Sequence, residues 1–279
     1  MLGKFFKTTD ITLALGSGSS KGAAHIGVIE ALTNYGFNIK AIAGTSIGAI
    51  VGAYYSLGKI DVLKEWLTSL NKANTFKTLD FTLSGGFISG KKLMKHFKHH
   101  LGNATFEDTN IPLYITATNF TTGSKEVFSS GEILPAIRAS ISVPAVFKPY
   151  FHNGSYYVDG AVTDPVPSTV LHERNYKNIV AVQLNKHIEL REETDTPSIT
   201  EIMGRSMGII SKALAESLSG YEKAIIEPNL SAYSMFEIYK AKEIIEIGYK
   251  TTEDLIKSKK LQHSLSKRVS DYFSNCKKS

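Results

Sequence analysis

The chain has 279 residues, of which 42% are hydrophobic, and a formal net charge of +6. This length fits one large α/β domain or two small ones, and the apolar content is ample for a core. Residues 257–279 hold seven Lys/Arg and one Asp, so residues 1–256 are balanced in charge. The body is therefore neutral and the tail basic, and no nucleic acid is expected as a partner.

The sequence carries no sign of export or membrane insertion. Cys276 is the only cysteine, so no internal disulfide forms, which fits a reducing compartment. Residues 1–10 are polar and charged, and the apolar run 11–15 is too short for a signal peptide. No stretch approaches the roughly 18 apolar residues of a membrane span. We expect a soluble cytoplasmic protein.

Residues 11–15 predict a strand, followed by the glycine-rich loop 16–22 (GSGSSKG) and a helix from about residue 22 to 35, with Gly36 as its C-cap. Lys21 precedes Gly22, which is the wrong order for a P-loop, and a third glycine is absent where a dinucleotide fingerprint needs one. Free backbone N–H groups at a helix N-terminus would suit an oxyanion. The alternative is that the loop 16–22 only connects the strand to the helix and binds no ligand.

Residues 44–48 read Gly-Thr-Ser-Ile-Gly, between an apolar run at 39–43 and small residues at 49–53. This pattern predicts a strand, a sharp turn carrying Ser46, and a helix, which is how a nucleophile is displayed. An incidental serine in an ordinary turn is the alternative. Because this turn and loop 16–22 would follow successive parallel strands, both would lie at one carboxyl edge of the sheet.

Residues 60–101 predict helices, broken at 82–87, that interrupt the β/α alternation and form an insertion near the site. His96, His99 and His100 have spacings that could bind a metal, but no acidic or cysteine partner accompanies them. A solvated basic face is the favoured interpretation. No metal is expected.

The next elements are a strand at 112–119, a hairpin partner at 126–129 and a helix at 133–140. A strand at 156–161 then ends in Asp159-Gly160. An isolated Asp-Gly pair most often caps a turn. At the carboxyl end of a strand, however, this carboxylate could reach the edge that carries Ser46 and accept its proton.

The remaining chain predicts strands at 178–184 and 224–226 and helices at 199–218 and 238–256. In the tail, apolar residues recur at helical spacing opposite a basic face: Leu261, Leu265, Val269, Tyr272 and Phe273. Such a helix would lie on an anionic membrane surface or dock on its own domain, and the sequence leaves both open.

Three blocks together resemble the patatin-like phospholipase family in order and spacing: the loop 16–22, the turn 44–48 and Asp159-Gly160-Ala161. The resemblance covers about residues 9–256, and it also includes Ala139, Ser140 and Pro144. It implies a three-layer α/β/α fold with a mainly parallel sheet, and a serine acyl hydrolase domain at 9–256 between an N-terminal segment (1–8) and the basic tail (257–279).

The resemblance also implies roles for individual residues. Ser46 is expected to be the nucleophile and Asp159 the base of a histidine-free dyad acting on lipid acyl esters without a cofactor. The remaining residues of the nucleophile elbow are Gly44, Thr45, Ile47 and Gly48, and Gly160 and Ala161 complete the base motif. The expected oxyanion loop comprises Gly18, Ser19, Ser20, Lys21 and Gly22. Many members carry three consecutive glycines where this chain has Ser17-Gly18-Ser19, so the chain departs from the family pattern at the oxyanion loop.

Other interpretations of the site and of its function are open from the sequence. A carboxylate with a pKa of about 4 is poorly matched to serine unless it is desolvated and closely hydrogen-bonded. A Ser-His-Asp triad would draw on His172, His187 or His263, whereas His25 is better explained by packing near the loop. Acyl transfer and noncatalytic lipid binding are further alternatives. The sequence predicts no oligomeric state.

Overall fold

The computed structural model of the protein describes residues 9–73, 75, 89–187, 199–234 and 237–265. Within these ranges one sheet contains eight strands. Their bounds are β1 Thr9–Leu15, β2 Phe37–Thr45, β3 Leu113–Asn119, β4 Lys125–Phe128, β5 Tyr150–His152, β6 Ser155–Asp159, β7 Ile179–Val182 and β8 Ala224–Ile226. The helices are α1 Ala24–Asn34, α2 Ile47–Ser56, α3 Ile60–Ser69, α4 Lys91–Leu101, α5 Ile133–Ser140, α6 Ser168–Glu173, α7 Ile199–Leu218 and α8 Ala241–Lys257.

The sheet is parallel through its centre and antiparallel at one end. Its strand order is β5-β6-β3-β2-β1-β7-β8, and β4 also pairs with β3. The pairs among β3, β2, β1, β7 and β8 are parallel, whereas β4 and β6 run antiparallel to β3 and β5 antiparallel to β6. The predicted mainly parallel sheet is confirmed, and it places the ends of β1 and β2 side by side.

Helices cover both faces of this sheet. Because successive side chains of a strand point to opposite faces, Leu13 and Leu15 join a large core with α1, α2, α3, α4, α5 and α8. Ala14 faces the other way, into a smaller cluster that includes Val170 and Leu171 of α6. The expected three-layer α/β/α arrangement is therefore confirmed, with one thick and one thin helical layer.

Some boundaries differ from those expected. The first helix does not start at Gly22: a 3₁₀ turn, Ser19–Ala23, precedes α1, and its Gly22 lies against Ile47 at the start of α2. The last helix likewise opens with a 3₁₀ turn, Ile238–Lys240. The break at 82–87 lies outside the described residues. In the described part of the chain, no helix is both long and apolar enough to cross a bilayer.

The described part of the tail packs on the domain. Leu261 is 2% and Leu265 7% exposed, and both belong to the core cluster that contains α1 and α8. Lys223 Nζ also donates a hydrogen bond to the carbonyl of Leu265 over 3.0 Å. Val269, Tyr272 and Phe273 lie outside the described residues, and the domain boundaries at 9–256 stay a prediction.

Candidate active site

Ser46 occupies a sharp turn between β2 and α2. Its backbone has φ 58° and ψ −122°, a conformation that costs a non-glycine residue about 1–3 kcal/mol. The turn is held on both sides, because the Ser46 amide donates to Ser140 Oγ over 2.8 Å and Thr45 Oγ1 donates to the Asp164 carbonyl over 2.8 Å. The surrounding fold therefore imposes the elbow that displays the Ser46 hydroxyl.

Small residues let other segments approach this elbow closely. A Cβ on Gly44 would overlap the backbone carbonyl of Gly48, and a Cβ on Gly48 would overlap the carbonyl of Leu15. A Cβ on Gly22 would overlap the Ile47 side chain. These contacts bring the glycine-rich loop, the end of β1 and the start of α2 together.

Asp159 faces Ser46 from the end of β6. Ser46 Oγ donates a hydrogen bond of 2.6 Å to Asp159 Oδ2, and the Ala161 amide donates one of 2.8 Å to Oδ1. Gly160 lets the backbone of β3 approach closely here, because a Cβ at this position would overlap the Thr116 carbonyl. The serine is 6% and the aspartate 2% exposed. Burial raises the pKa of Asp159 to about 6, although the hydrogen bonds from Ser46 and Ala161 oppose this rise.

No imidazole takes part in this contact. In the part of the chain that the structure describes, the Asp159 carboxylate is bonded to Ser46 and Ala161. His172 instead stacks on Tyr221, with ring centroids 4.3 Å apart. The geometry therefore favours the two-residue arrangement over a Ser-His-Asp triad.

The glycine-rich loop lies beside the serine. Ser19 and Ser20 line the same pocket as Ser46, and Ser20 Oγ is tied to the Ser234 carbonyl over 2.7 Å. Among the described residues, the amide N–H groups of Gly18 and Ser19 have no backbone acceptor. Ser19 has φ 50°, so a serine adopts a positive φ that glycine would adopt more easily.

His25 anchors the start of this loop. It is completely buried, and its Nε2 lies 2.8 Å from the Gly16 carbonyl, to which it donates. Because a carbonyl oxygen can only accept, the proton is on Nε2; Nδ1 has no partner among the described residues. Burial lowers the pKa of His25 to about 4, so the ring is neutral near pH 7. The expectation that His25 packs near the loop agrees with this contact.

Ser46 opens into an apolar pocket with a cavity volume of about 120 Å³. The predicted insertion supplies one wall, with Leu63, Trp66 and Leu67 from α3 and Leu93 and Phe97 from α4. The remaining apolar lining is Ile47, Ile50, Ile141, Val143, Val146, Phe147 and Ile238. Polar atoms are concentrated where Ser19, Ser20 and Ser46 meet.

The expectation of a solvated face for the three histidines of α4 was only partly right. His96 packs against Trp66 with ring centroids 4.2 Å apart, because its side of the helix faces α3. Burial, reinforced by His100 and His99, lowers the pKa of His96 to about 4. The described residues contain no group of three or more His, Cys, Asp or Glu side chains arranged to bind a metal.

Ser140 and Arg138 make contacts that the sequence did not predict. Ser140 Oγ accepts from the Ser46 amide and donates to the Thr116 carbonyl over 2.7 Å. Arg138 is buried, and it donates to Ser142 Oγ over 2.6 Å and to the Lys148 carbonyl over 2.9 Å. Ser140 belongs to a block that contributed to the resemblance, but its contact with Ser46 spans 94 residues.

The fold and the pocket define a class: α/β proteins that display a buried serine at a strand-to-helix elbow beside an apolar cavity. The patatin-like phospholipase family model matches residues 13–172, and the chain belongs to that family. An uncharacterised NTE family protein of Mycobacterium bovis is 36% identical over 63% of this chain and 49% of its own length. The lysophospholipase NTE1 of Saccharomyces cerevisiae is 26% identical over 85% of this chain and 16% of its own length.

A solved structure shares the fold. The crystal structure of VipD from Legionella pneumophila has a TM-score of 0.57 at 15% identity and covers 91% of this chain and 67% of its own. The chain spans about half or less of the curated relatives named above.

Proposed function

We propose that the protein is a serine hydrolase of lipid acyl esters, with Ser46 as nucleophile and Asp159 as general base. The observation that carries the proposal is the 2.6 Å hydrogen bond between Ser46 Oγ and Asp159 Oδ2 inside an apolar pocket. Family membership supports lipid hydrolysis in general, and the dyad gives it a specific chemistry.

The environment of Asp159 explains how a carboxylate could act as the base for a serine, which the sequence alone did not explain. Its pKa of about 6 is closer to neutrality than that of an ordinary carboxyl group, which improves its match to a serine hydroxyl. Asp159 takes the Ser46 proton as Oγ attacks the ester carbonyl carbon. It returns that proton to the departing alkoxide when the tetrahedral intermediate collapses. Water, deprotonated by Asp159, then attacks the acyl carbonyl carbon; as the bond to Ser46 Oγ breaks and the fatty acid leaves, Asp159 returns that proton to Oγ.

The negative oxygen of the tetrahedral intermediate would lie at the glycine-rich loop. The amides of Gly18 and Ser19 have no backbone acceptor in the described structure, and both residues lie at the start of the 3₁₀ turn. Preorganised N–H donors of this kind stabilise an oxyanion without having to reorient during the reaction.

The pocket favours a fatty acyl chain as the substrate part next to the ester. Its polar groups are at the Ser46 end, and the walls built by α3 and α4 are hydrocarbon and aromatic. Acyl transfer to an alcohol would use the same groups, and noncatalytic lipid binding would use the pocket alone. Both alternatives are outcomes of the experiment below.

The experiment measures fatty acid release from a panel of phospholipids, lysophospholipids, acylglycerols and aryl esters, with and without glycerol as a competing acceptor. Wild type is compared with Ser46→Ala, Asp159→Asn and a control, Ser124→Ala, which alters an exposed serine of the β3–β4 turn. We expect the first two variants to lose more than about a thousandfold in kcat/KM and the control to keep full activity. Undiminished hydrolysis by Ser46→Ala would refute the proposal, and predominant glycerol esters would identify a transferase.

A further inference from the structure

Helix α7 carries an apolar stripe that no described part of the chain covers. Ile202, Met203, Ile209 and Ile210 are 48%, 39%, 47% and 54% exposed, respectively. The pairs 202/209 and 203/210 are seven residues apart, so the four side chains share one side of the helix. We call these four side chains the α7 stripe.

The stripe lies on the side of the protein where Ser46 opens. Ser211 Oγ is 3.3 Å from Ser17 Oγ, and Ser17 follows β1 at the carboxyl edge of the sheet. After α7 the chain returns to the start of β8, which is parallel to β7, so residues 199–210 lie beyond that edge. At 1.5 Å per residue they extend about 18 Å past Ser211. In the described ranges of the chain, no atom lies within 4 Å of the position that a Cβ on Gly208 would take, as expected for a projecting segment.

A second exposed apolar group lies beyond the same edge at the other end of the sheet. Phe120, Phe151 and Tyr156 are 64%, 58% and 50% exposed, and we call them the aromatic patch. Strand β3 pairs with β2 up to Thr116 and continues with β6 to Asn119, so Phe120 lies several residues past the Ser46 turn. In strand order, Ser46, which directly follows β2, therefore lies between the aromatic patch on the β6 side and the α7 stripe on the β7 side.

We propose that this edge rests on a lipid surface, with the α7 stripe inserted among the acyl chains and the aromatic patch at the interface. The inference rests on the proposed function and adds how substrate reaches the site. The α7 stripe and the aromatic patch lie on either side of the pocket for a fatty acyl chain. Together they would hold the mouth of that pocket against a lipid aggregate, where such chains occur. Exposed Arg205, on α7 itself, adds positive charge beside the stripe, which favours anionic lipid.

A second copy of the chain is a poorer fit for the stripe. Four half-exposed side chains offer on the order of 300–400 Å², whereas a standard interface buries about 800 Å² per partner. Shallow insertion of an amphipathic helix needs no such area. The proposal also differs from membrane binding by the tail, because Leu261 and Leu265 are buried in the domain.

The test is co-sedimentation of the full chain with vesicles of phosphatidylcholine and phosphatidylglycerol, using Ser46→Ala so that the lipid stays intact. The stripe variant is I202Q/M203Q/I209Q/I210Q, and Gln is compatible with a helix. The control is V62Q/Y221Q, two side chains that are 39% and 41% exposed and lie towards the opposite edge of the sheet. We expect the stripe variant to bind at least about tenfold more weakly and the control to bind like its parent.

Each substitution set is also made with Ser46 intact, so that folding and function can be followed separately. Hydrolysis of a monomeric short-chain ester, which reports a folded site, should be unchanged in every variant. Hydrolysis of vesicle lipid should fall together with vesicle binding in the stripe variant. If that variant loses short-chain activity through misfolding, the pairs I202Q/M203Q and I209Q/I210Q and the patch variant F120S/F151S/Y156S take its place.

Equal vesicle binding by the parent and all these variants would overturn the proposal. So would binding that disappears only when residues 266–279 are removed, or a dimer in solution that the stripe variant dissociates without any change in vesicle binding. Loss of ester hydrolysis in every form, with stripe-dependent binding retained, would instead count against the proposed function alone.

Discussion

The raised pKa of Asp159 predicts a specific pH dependence. The carboxylate must be ionised to accept the Ser46 proton, so protonation stops the reaction. Because burial moves the pKa from 3.8 to about 6, the loss of activity should begin just below neutral pH rather than near pH 4. Activity should rise with pH through about 6 and then level off.

The size of the effect follows from the ionised fraction. At pH 5 a group with a pKa of 6 is about 10% ionised, whereas a group with a pKa of 3.8 would be about 94% ionised. We therefore expect kcat/KM for a soluble aryl ester to be about tenfold lower at pH 5 than at pH 8. The fluorescence spectrum of Trp66 at each pH checks that the protein stays folded.

The same shift has a consequence for stability, with a defined sign. The folded state binds the Asp159 proton more tightly than the unfolded state, so stability falls as pH rises from about 4 to 6. Ionised Asp159 costs about 3 kcal/mol of folding free energy at pH 7, which is the free energy that corresponds to moving its pKa from 3.8 to about 6. Asp159→Asn, which stays neutral, should unfold at higher urea than wild type at pH 7, and this advantage should shrink at pH 4.

Three outcomes would refute this reasoning. The first is a flat pH profile of kcat/KM between pH 5 and 8. The second is an Asp159→Asn variant that is less stable than wild type at neutral pH, and the third is an advantage of that variant that grows on acidification. Asp164→Asn offers a comparison, since Asp164 is also buried but is paired with Lys125.

The other predictions concern the elbow, the loop and the pocket. Ser140→Ala should lower kcat more than it changes KM and cost about 1–3 kcal/mol in urea unfolding, because the buried Ser46 amide loses its acceptor; unchanged kcat would contradict this. His25→Gln, which can still donate to the Gly16 carbonyl, should keep most of the kcat that His25→Leu loses, and equal losses would indicate packing alone. Gly48→Ala should lower the Tm by several degrees, because its methyl group overlaps the Leu15 carbonyl, and an unchanged Tm would contradict that packing. Leu67→Phe should reduce kcat/KM for long-chain esters about tenfold while sparing short ones, and equal effects on both would argue against the pocket as the acyl site.

The parts of the fold that could be predicted from sequence depend on short-range patterns. The strand, loop and helix units that carry Gly22 and Ser46 follow from apolar runs closed by glycine, and their shared edge follows from the topology of parallel strands. The family and the three-layer fold were confirmed, and the structure brings Ser46 and Asp159 together as expected. Their catalytic roles remain the proposal to be tested.

Other features could not be predicted because they depend on contacts between distant segments. The Ser140 contact with Ser46 and the pocket wall from α3 and α4 have no local sequence signal. Likewise, no single-sequence pattern distinguishes a histidine stacked on Trp66 from one in solvent. Strand β5 has only three residues and therefore no measurable alternation.

The tail and α7 show that helical periodicity does not predict which apolar side chains are buried. Both have apolar residues at helical spacing, yet Leu261 and Leu265 are buried, whereas Ile209 and Ile210 are exposed. Periodicity identifies an apolar side of a helix, but only the packed structure decides whether the domain covers that side.

The most direct test of the central claim is to trap the acyl-enzyme. The protein is mixed with a long-chain aryl ester, quenched in acid within the first turnovers, digested and analysed by mass spectrometry. We expect one acyl group, attached to Ser46, that forms in wild type and is absent from Ser46→Ala. An acyl group on any other residue, or turnover of the ester without an acylated Ser46, would contradict the account.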